Sequence, residues 1–187
     1  IQTRLSELGV AFSNNITSYD DTLFINKEMI SGLPEDYKID HLQTDGNYAI
    51  DLSYPSFDPF MKYADSDSMR KLLRYMHQNI AVPDNLDILN EIITLRNKMS
   101  NILGYSSYAS YTIEESMAKT PVAVWEFENS LRKSIEKKAS MDTEEMLEMK
   151  REHTGNSDVT LYDWDKYYYE NLLLLNKYSV DSEKVKE

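Results

Sequence analysis

Apolar residues recur at helical spacing along most of this chain. In 67–81, Met69, Leu72, Leu73, Met76 and Ile80 make one stripe, with Ser66 or Asp67 placed to cap it. Pro83 ends that segment and Asp84 caps the next, 85–103, where Leu86, Leu89, Ile92, Ile93, Met99 and Leu103 return at the same period. Gly104 stands where a glycine helix stop belongs. Ser106 or Ser107 opens a further helix through about Ala118. Thr120-Pro121 is a cap followed by proline at the first helical position, and Val124, Phe127, Leu131 and Ile135 then share one face. Residues 142–153 are charged with Met146, Leu147 and Met149 among them, and continue that helix or start a new one. HTGNSD, 153–158, is a loop, and a last long helix covers about 161–178.

The first third is more broken. Leu5, Leu8 and Phe12 are spaced as one helix face. Residues 13–24 are polar and read as a loop, and Pro34 opens a short helix over 34–43. Asp45-Gly46 signals a turn. After it Tyr48, Ile50 and Leu52 alternate with Ala49, Asp51 and Ser53, the period of a short strand that Pro55 ends. The pattern therefore predicts a mainly α fold: a multi-helix lobe with one short strand or hairpin region near 47–54. It has no sustained heptads, so no coiled coil.

The chain begins on Ile1, within a helical pattern. Near its end Asp181 or Ser182 resembles an N-cap with little sequence left to follow it. Both ends read as cut, and 1–187 is expected to be a single helical segment of a larger protein. Composition narrows the partners. With 20 Lys+Arg against 32 Asp+Glu the formal net charge is −12, which repels phosphate backbones and anionic lipid surfaces. There is no cysteine, which removes disulfides, thiolate metal sites and cysteine nucleophiles. Leu172 to Leu175 is the longest aliphatic run, far short of the roughly 20 residues of a membrane span. The expected compartment is the cytoplasm, with the periplasm left open because the native N-terminus is not present.

The candidate chemistry is sparse. His41, His77 and His153 are far apart in sequence, and Glu152-His153 lacks the second His of H-E-x-x-H. No glycine-rich phosphate loop and no G-x-S-x-G turn occurs. Acidic pairs such as Glu114/Glu115 fit solvated helix surface better than acid–base catalysis. Tyrosine is the unusual component, with 14 residues, seven of them in two clusters, Tyr105/Tyr108/Tyr111 and Tyr162/Tyr167/Tyr168/Tyr169. An apolar ring with a polar tip suits helix packing, and also a half-wet groove for a peptide.

The motifs in order carry a resemblance. They are LGVAFSNNI…GLPEDY (8–37), DG-x-Y-x-I-x-L-x-YPSF (45–57), MKYADSDSMRKLLRYM (61–76), DNLDILNEIITLRNKMSNILGYSSYASYTIEESMAKTP (84–121), WDKYYY (164–169) and YSVDSEKV (178–185). Together they resemble the thimet oligopeptidase and peptidyl-dipeptidase family of zinc metallopeptidases, over essentially the whole chain. YPSF and the DN start of the 85–103 helix lean toward the peptidyl-dipeptidase branch. The resemblance implies a largely helical, two-lobed protein around a narrow channel that cleaves short peptides. It implies zinc held by the two His of H-E-x-x-H and a later Glu, with the Glu of the motif as general base. In the family that motif lies further along than YSVD, so no catalytic or metal residue carries over to this chain. The segment is expected to shape the non-catalytic lobe and to be inactive alone.

Within that frame Tyr105, Tyr108, Tyr111 and Tyr167 are the candidates to face a peptide channel. Arg96, Trp164, Asp165 and Tyr168 are read as structural: Leu161, Trp164 and Tyr168 continue to Leu172 and Leu175 as one stripe. An Arg96–Asp165 ion pair would give each charge its partner. The competing reading is a stand-alone helical peptide-binding module without enzymatic activity.

Overall fold

The computed structural model describes residues 1–179 and is mainly α-helical. It divides into two compact units: Ile1–Tyr19 with Ile80–Ala139, and Asp20–Asn79 with the described part of Ser140–Glu187. The cap expected at Asp181 or Ser182, and most of YSVDSEKV, lie outside the described residues.

In the first unit α1 (Gln2–Thr17) packs on α5 (Val82–Ile102). Leu8 and Ile92 are buried there. Asn15 Nδ2 donates to Asn85 Oδ1 at 2.9 Å, and Asn85 Nδ2 donates to the Phe12 carbonyl at 3.2 Å. This buried amide pair carries α1 on through polar residues that read as loop, a case of tertiary contact overriding composition. Further along, Arg4 grips both oxygens of Glu91, at 2.7 and 2.9 Å.

The start of α5 corrects the sequence reading. Ala81, with φ 53°, is the N-cap, and Pro83 and Asp84 fall in the first turn. Pro83 thus opens α5 rather than only closing what precedes it, because its missing N–H has no helical partner at that position anyway. The stop at Gly104 is as the pattern has it: φ is +84°, with Gly104 N–H bonding Asn101 O and Tyr105 N–H bonding Ser100 O. The short α6 (Tyr108–Ile113) follows, capped by Ser107, and ends before the expected Ala118. Then α7 (Pro121–Thr154) starts with Thr120 Oγ1 accepting from Ala123 N–H at 3.2 Å. It is one helix through 142–153. Its Phe127, Leu131 and Ile135 are exposed.

In the second unit β1 (Thr22–Ile25) pairs antiparallel with β2 (Tyr48–Asp51), Leu23 opposite Ile50 and Ile25 opposite Tyr48. β1 falls largely in the stretch read as loop. Its Leu23 and Ile25 point inward while Phe24 is exposed, the alternation of a half-buried strand too short to stand out. Next to the sheet lie α2 (Glu35–His41) and α3 (Tyr54–Tyr63), and α4 (Asp67–Gln78) packs on α3. The core consists of Leu23, Ile25, Ile30, Leu33, Tyr37, Tyr48, Ile50, Phe57, Phe60, Met61, Ala64 and Leu73. α3 is a helix the pattern had not identified. Pro55, which ends the strand, sits in its first turn, and Pro59 lies inside it. The last helix begins with a 3₁₀ turn, Asp163–Asp165, and continues as α8 (Lys166–Tyr178). α8 packs on α3, and the 3₁₀ turn packs on α4.

Candidate functional site

Gly104, Ser107 and α6 bring three of the candidate tyrosines together. Tyr105 is fixed by the α5 stop, while Tyr108 and Tyr111 are three apart on α6 and so share a face. Tyr111 is the middle ring, 5.3 Å from Tyr105 at 62° and 6.0 Å from Tyr108 at 53°. All three are half-buried. The Tyr105 hydroxyl donates to Glu114 Oε2, and that bond, ahead of burial, raises the Tyr105 pKa. At the other end of the row the Arg96 guanidinium lies over the Tyr108 ring, 5.0 Å from its centroid. The cluster is thus an aromatic row with a cation at one end and a carboxylate at the other.

Arg96 is therefore not the partner of Asp165, which corrects the ion pair expected from sequence. Arg96 is exposed and carries no carboxylate among the described residues. Asp165 is fully buried and bound by two other cations. Its Oδ1 accepts from Arg70 Nη2 at 3.4 Å, and its Oδ2 accepts from Lys150 Nζ at 2.6 Å and from Tyr162 N–H at 2.8 Å. Arg70, 1% exposed, also donates to the Ala64 carbonyl at 2.7 Å and the Asp65 carbonyl at 3.1 Å, and to the rim carboxylate of Asp67 at 3.3 Å. Its side chain lies over Tyr168, with Cζ 4.1 Å from the ring centroid. Lys150 donates to the Thr160 carbonyl at 2.9 Å.

These bonds join α4, α7 and the start of α8. Both carboxylate oxygens of Asp165 are consumed, so the cluster offers no free base; its product is a fixed geometry. Sequence reasoning missed Arg70 and Lys150. The available signal was their position: Arg70 is three residues from buried Leu73, and Lys150 is four from Met146, each on an apolar face.

The other aromatic predictions divide. Tyr168 is buried, and its hydroxyl donates to Asp65 Oδ1 at 3.1 Å; Ser31 Oγ donates to the other oxygen of Asp65 at 2.7 Å. Burial first, and Asp65 second, push the Tyr168 pKa up to about 12. Tyr169, also buried, reaches about 12, chiefly through burial and then through Asp165. Trp164 is half-buried, stacks on Tyr162 at 4.4 Å and 10°, and donates to Asp67 at 3.0 Å. Tyr167 is half-buried and packs partly against the core. On α8 Tyr168, Tyr169 and Asn171 are buried, and Trp164, Leu172 and Leu175 of the predicted stripe are half-buried.

The histidines do not converge. His41 Nδ1 lies 2.7 Å from the Tyr37 carbonyl and Nε2 2.9 Å from Ser56 Oγ, a bridge between α2 and α3 beside a cavity of about 210 Å³ lined by Pro34, Asp40 and Pro59. His77 stacks on Phe57 at 4.0 Å, and burial lowers its pKa. His153 Nδ1 is 3.3 Å from the Tyr169 hydroxyl. Among the described residues no three His, Asp or Glu side chains group so as to hold a metal ion, and these residues do not fit a zinc site. No described helix is long and apolar enough to cross a membrane.

Comparison with known proteins settles the family. The profile of peptidase family M3 matches residues 60–187. The chain belongs to peptidase family M3. It is 30% identical to Saccharolysin of Saccharomyces cerevisiae over an alignment that covers 100% of this chain and 28% of that protein. It is 30% identical to the Thimet-like oligopeptidase of Dictyostelium discoideum, covering 100% of this chain and 29% of that relative. Oligopeptidase A of Escherichia coli is 26% identical, again covering 100% of the chain and 29% of the relative. This M3 chain thus spans under a third of the length of the curated relatives it matches.

Proposed function

We propose that this chain is a helical section, ahead of the zinc-binding motif, of a zinc-dependent oligopeptidase that hydrolyses short peptides, and that Tyr105, Tyr108 and Tyr111 face the peptide. The observation that carries this reading is the match to family M3 over 60–187, joined to relatives named as oligopeptidases along the whole chain. It is supported by the coverage of those relatives, of whose length this chain spans 28–29%. In this reading the chain's own residues bind and position: the tyrosine row offers aromatic faces to a peptide, and the Arg70–Asp165–Lys150 cluster keeps α4, α7 and α8 in fixed relation. A cytoplasmic location goes with this reading.

The test is to express the protein from its complete coding sequence and follow a quenched fluorescent nonapeptide. Hydrolysis abolished by a chelator and restored by zinc is expected for that protein, and no hydrolysis for the 187-residue chain. A complete coding sequence without H-E-x-x-H, or chelator-sensitive turnover by residues 1–187 alone, overturns the reading.

A further inference from the structure

The tyrosine row has a polarity that the family assignment does not explain. Arg4, Arg70, Arg74 and Arg151 each hold a carboxylate. In a chain with 32 acidic residues, Arg96 lies on a tyrosine face instead. Arg96 is exposed and its N–H donors meet no carboxylate among the described residues, and a guanidinium fork matches a carboxylate in two-point geometry.

The position is also open. α1 meets α5 between the Asn15–Asn85 and Arg4–Glu91 contacts. Arg96 lies five residues beyond Glu91, roughly 7.5 Å along the helix. Spacing of four on either side puts it on the same face as buried Ile92 and Ser100, where the seam ends and α6 supplies Tyr108. At the far end of the row, Glu114 is held by the Tyr105 hydroxyl, with Glu115 also acting on that ring. An anion is therefore attracted at the Tyr108 end and repelled at the Tyr105 end.

We propose that Arg96 binds the free carboxyl-terminal carboxylate of a short peptide laid along Tyr108, Tyr111 and Tyr105, with the peptide's direction set by Glu114 at the opposite end. This rests on the oligopeptidase reading for its substrate class, and it adds a residue and a direction to it. The carboxylate is the natural ligand of the fork, and the rings take the flanking apolar or aromatic side chains. Each row contact is short enough that a few extended residues, at about 3.3–3.6 Å each, run its length.

The experiment uses the protein expressed from its complete coding sequence, with one amino-terminally labelled short peptide in two forms, free acid and carboxyl-terminal amide. Wild-type protein is expected to show a KM about tenfold higher for the amide, with kcat within about twofold. Arg96→Gln is expected to raise the KM for the acid to the amide level, erasing the difference, while Arg96→Lys keeps part of it. Fluorescence anisotropy of the same two peptides is measured in parallel, so that absence of hydrolysis sinks the oligopeptidase reading without hiding the result here. Acid and amide bound equally by wild-type protein, or a preference for the acid that persists in Arg96→Gln with unchanged circular dichroism, overturns the assignment.

Discussion

Replacing Asp165 with Asn removes the only fully buried carboxylate of the second unit's ionic cluster while keeping the side chain's shape. Asp165 is 0% exposed and receives three donors. Without its charge, Lys150 keeps the Thr160 carbonyl as its bonding partner, and Arg70 keeps two carbonyls and the exposed Asp67. Two like charges then share a site with no buried counter-charge. Removing one partner of a buried pair lowers stability by about 3–5 kcal/mol. The lower end applies here, because Arg70 retains three acceptors and the Lys150 side chain is 10% exposed and can reach toward water.

An expected loss of about 3 kcal/mol, divided by a urea slope of about 2 kcal/mol/M, moves the midpoint down by about 1.5 M. Trp164, stacked on Tyr162 beside the cluster, reports the transition. A Trp125→Phe background removes the other, exposed tryptophan. A triple variant, Arg70→Met, Lys150→Met and Asp165→Leu, is expected to regain at least half the loss, because apolar replacement removes the desolvation penalty along with the pair. A midpoint shift below about 0.5 M for Asp165→Asn would refute the argument. So would a triple variant no more stable than the single one, since the loss would then come from packing and not from orphaned charge.

Two glycines give a matched comparison. Gly32 and Gly46 both have φ +85°, but a Cβ at Gly32 would collide with the Tyr63 carbonyl oxygen, whereas at Gly46 nothing lies within 4 Å. Gly46→Ala is expected to lower stability by about 1–2 kcal/mol, the left-handed penalty alone. Gly32→Ala is expected to lose clearly more, at least about 3 kcal/mol, and equal midpoints in urea would show that the turn at Gly32 yields freely.

Alkaline pH tests the buried tyrosines. Tyr168 and Tyr169 titrate at about 12 in the fold against 10 in the unfolded chain, so the unfolded state releases their protons first. Their contribution is intact below pH 10 and falls away between 10 and 12, on the order of 5 kcal/mol for the two together. Tyr168→Phe should flatten that slope in urea titrations at pH 9 to 11.5, and an unchanged slope would count against burial as the cause of the shift.

Much of the helical frame was legible because its signals are local. The Gly104 stop, the Ser107 cap and the Thr120-Pro121 start each depend on a few neighbouring residues, and each forms where the sequence has it. Elements that need a distant partner were not legible. β1 is four residues long and acquires meaning only through its register with β2, Leu23 against Ile50. α3 was hidden because Pro55 and Pro59 read as breakers, although a proline in the first turn removes an N–H that has no helical partner. The polar end of α1 needs Asn85, 70 residues away, to hold it.

The misassignment of Arg96 shows the same limit at the level of the site. The rule that a buried charge needs a partner is sound, and Asp165 obeys it. It was applied to the wrong arginine because α5 is apolar around much of its circumference: Leu86, Leu89 and Ile93 are exposed, while the buried positions are Asn85, Ile92 and Ser100. Apolar neighbours therefore did not report burial at Arg96. The residues that did sit inside, Arg70 and Lys150, lie 95 and 15 positions from Asp165, and only the packing of α4 and α7 reveals them. Once those two cations satisfy Asp165, Arg96 has no buried charge left to neutralise. What holds it is a tyrosine ring at the end of an aromatic row. An exposed guanidinium over a ring, with no carboxylate among the described residues, is open to an anion from outside the chain, whereas a cation satisfied by Asp165 would have been closed to one.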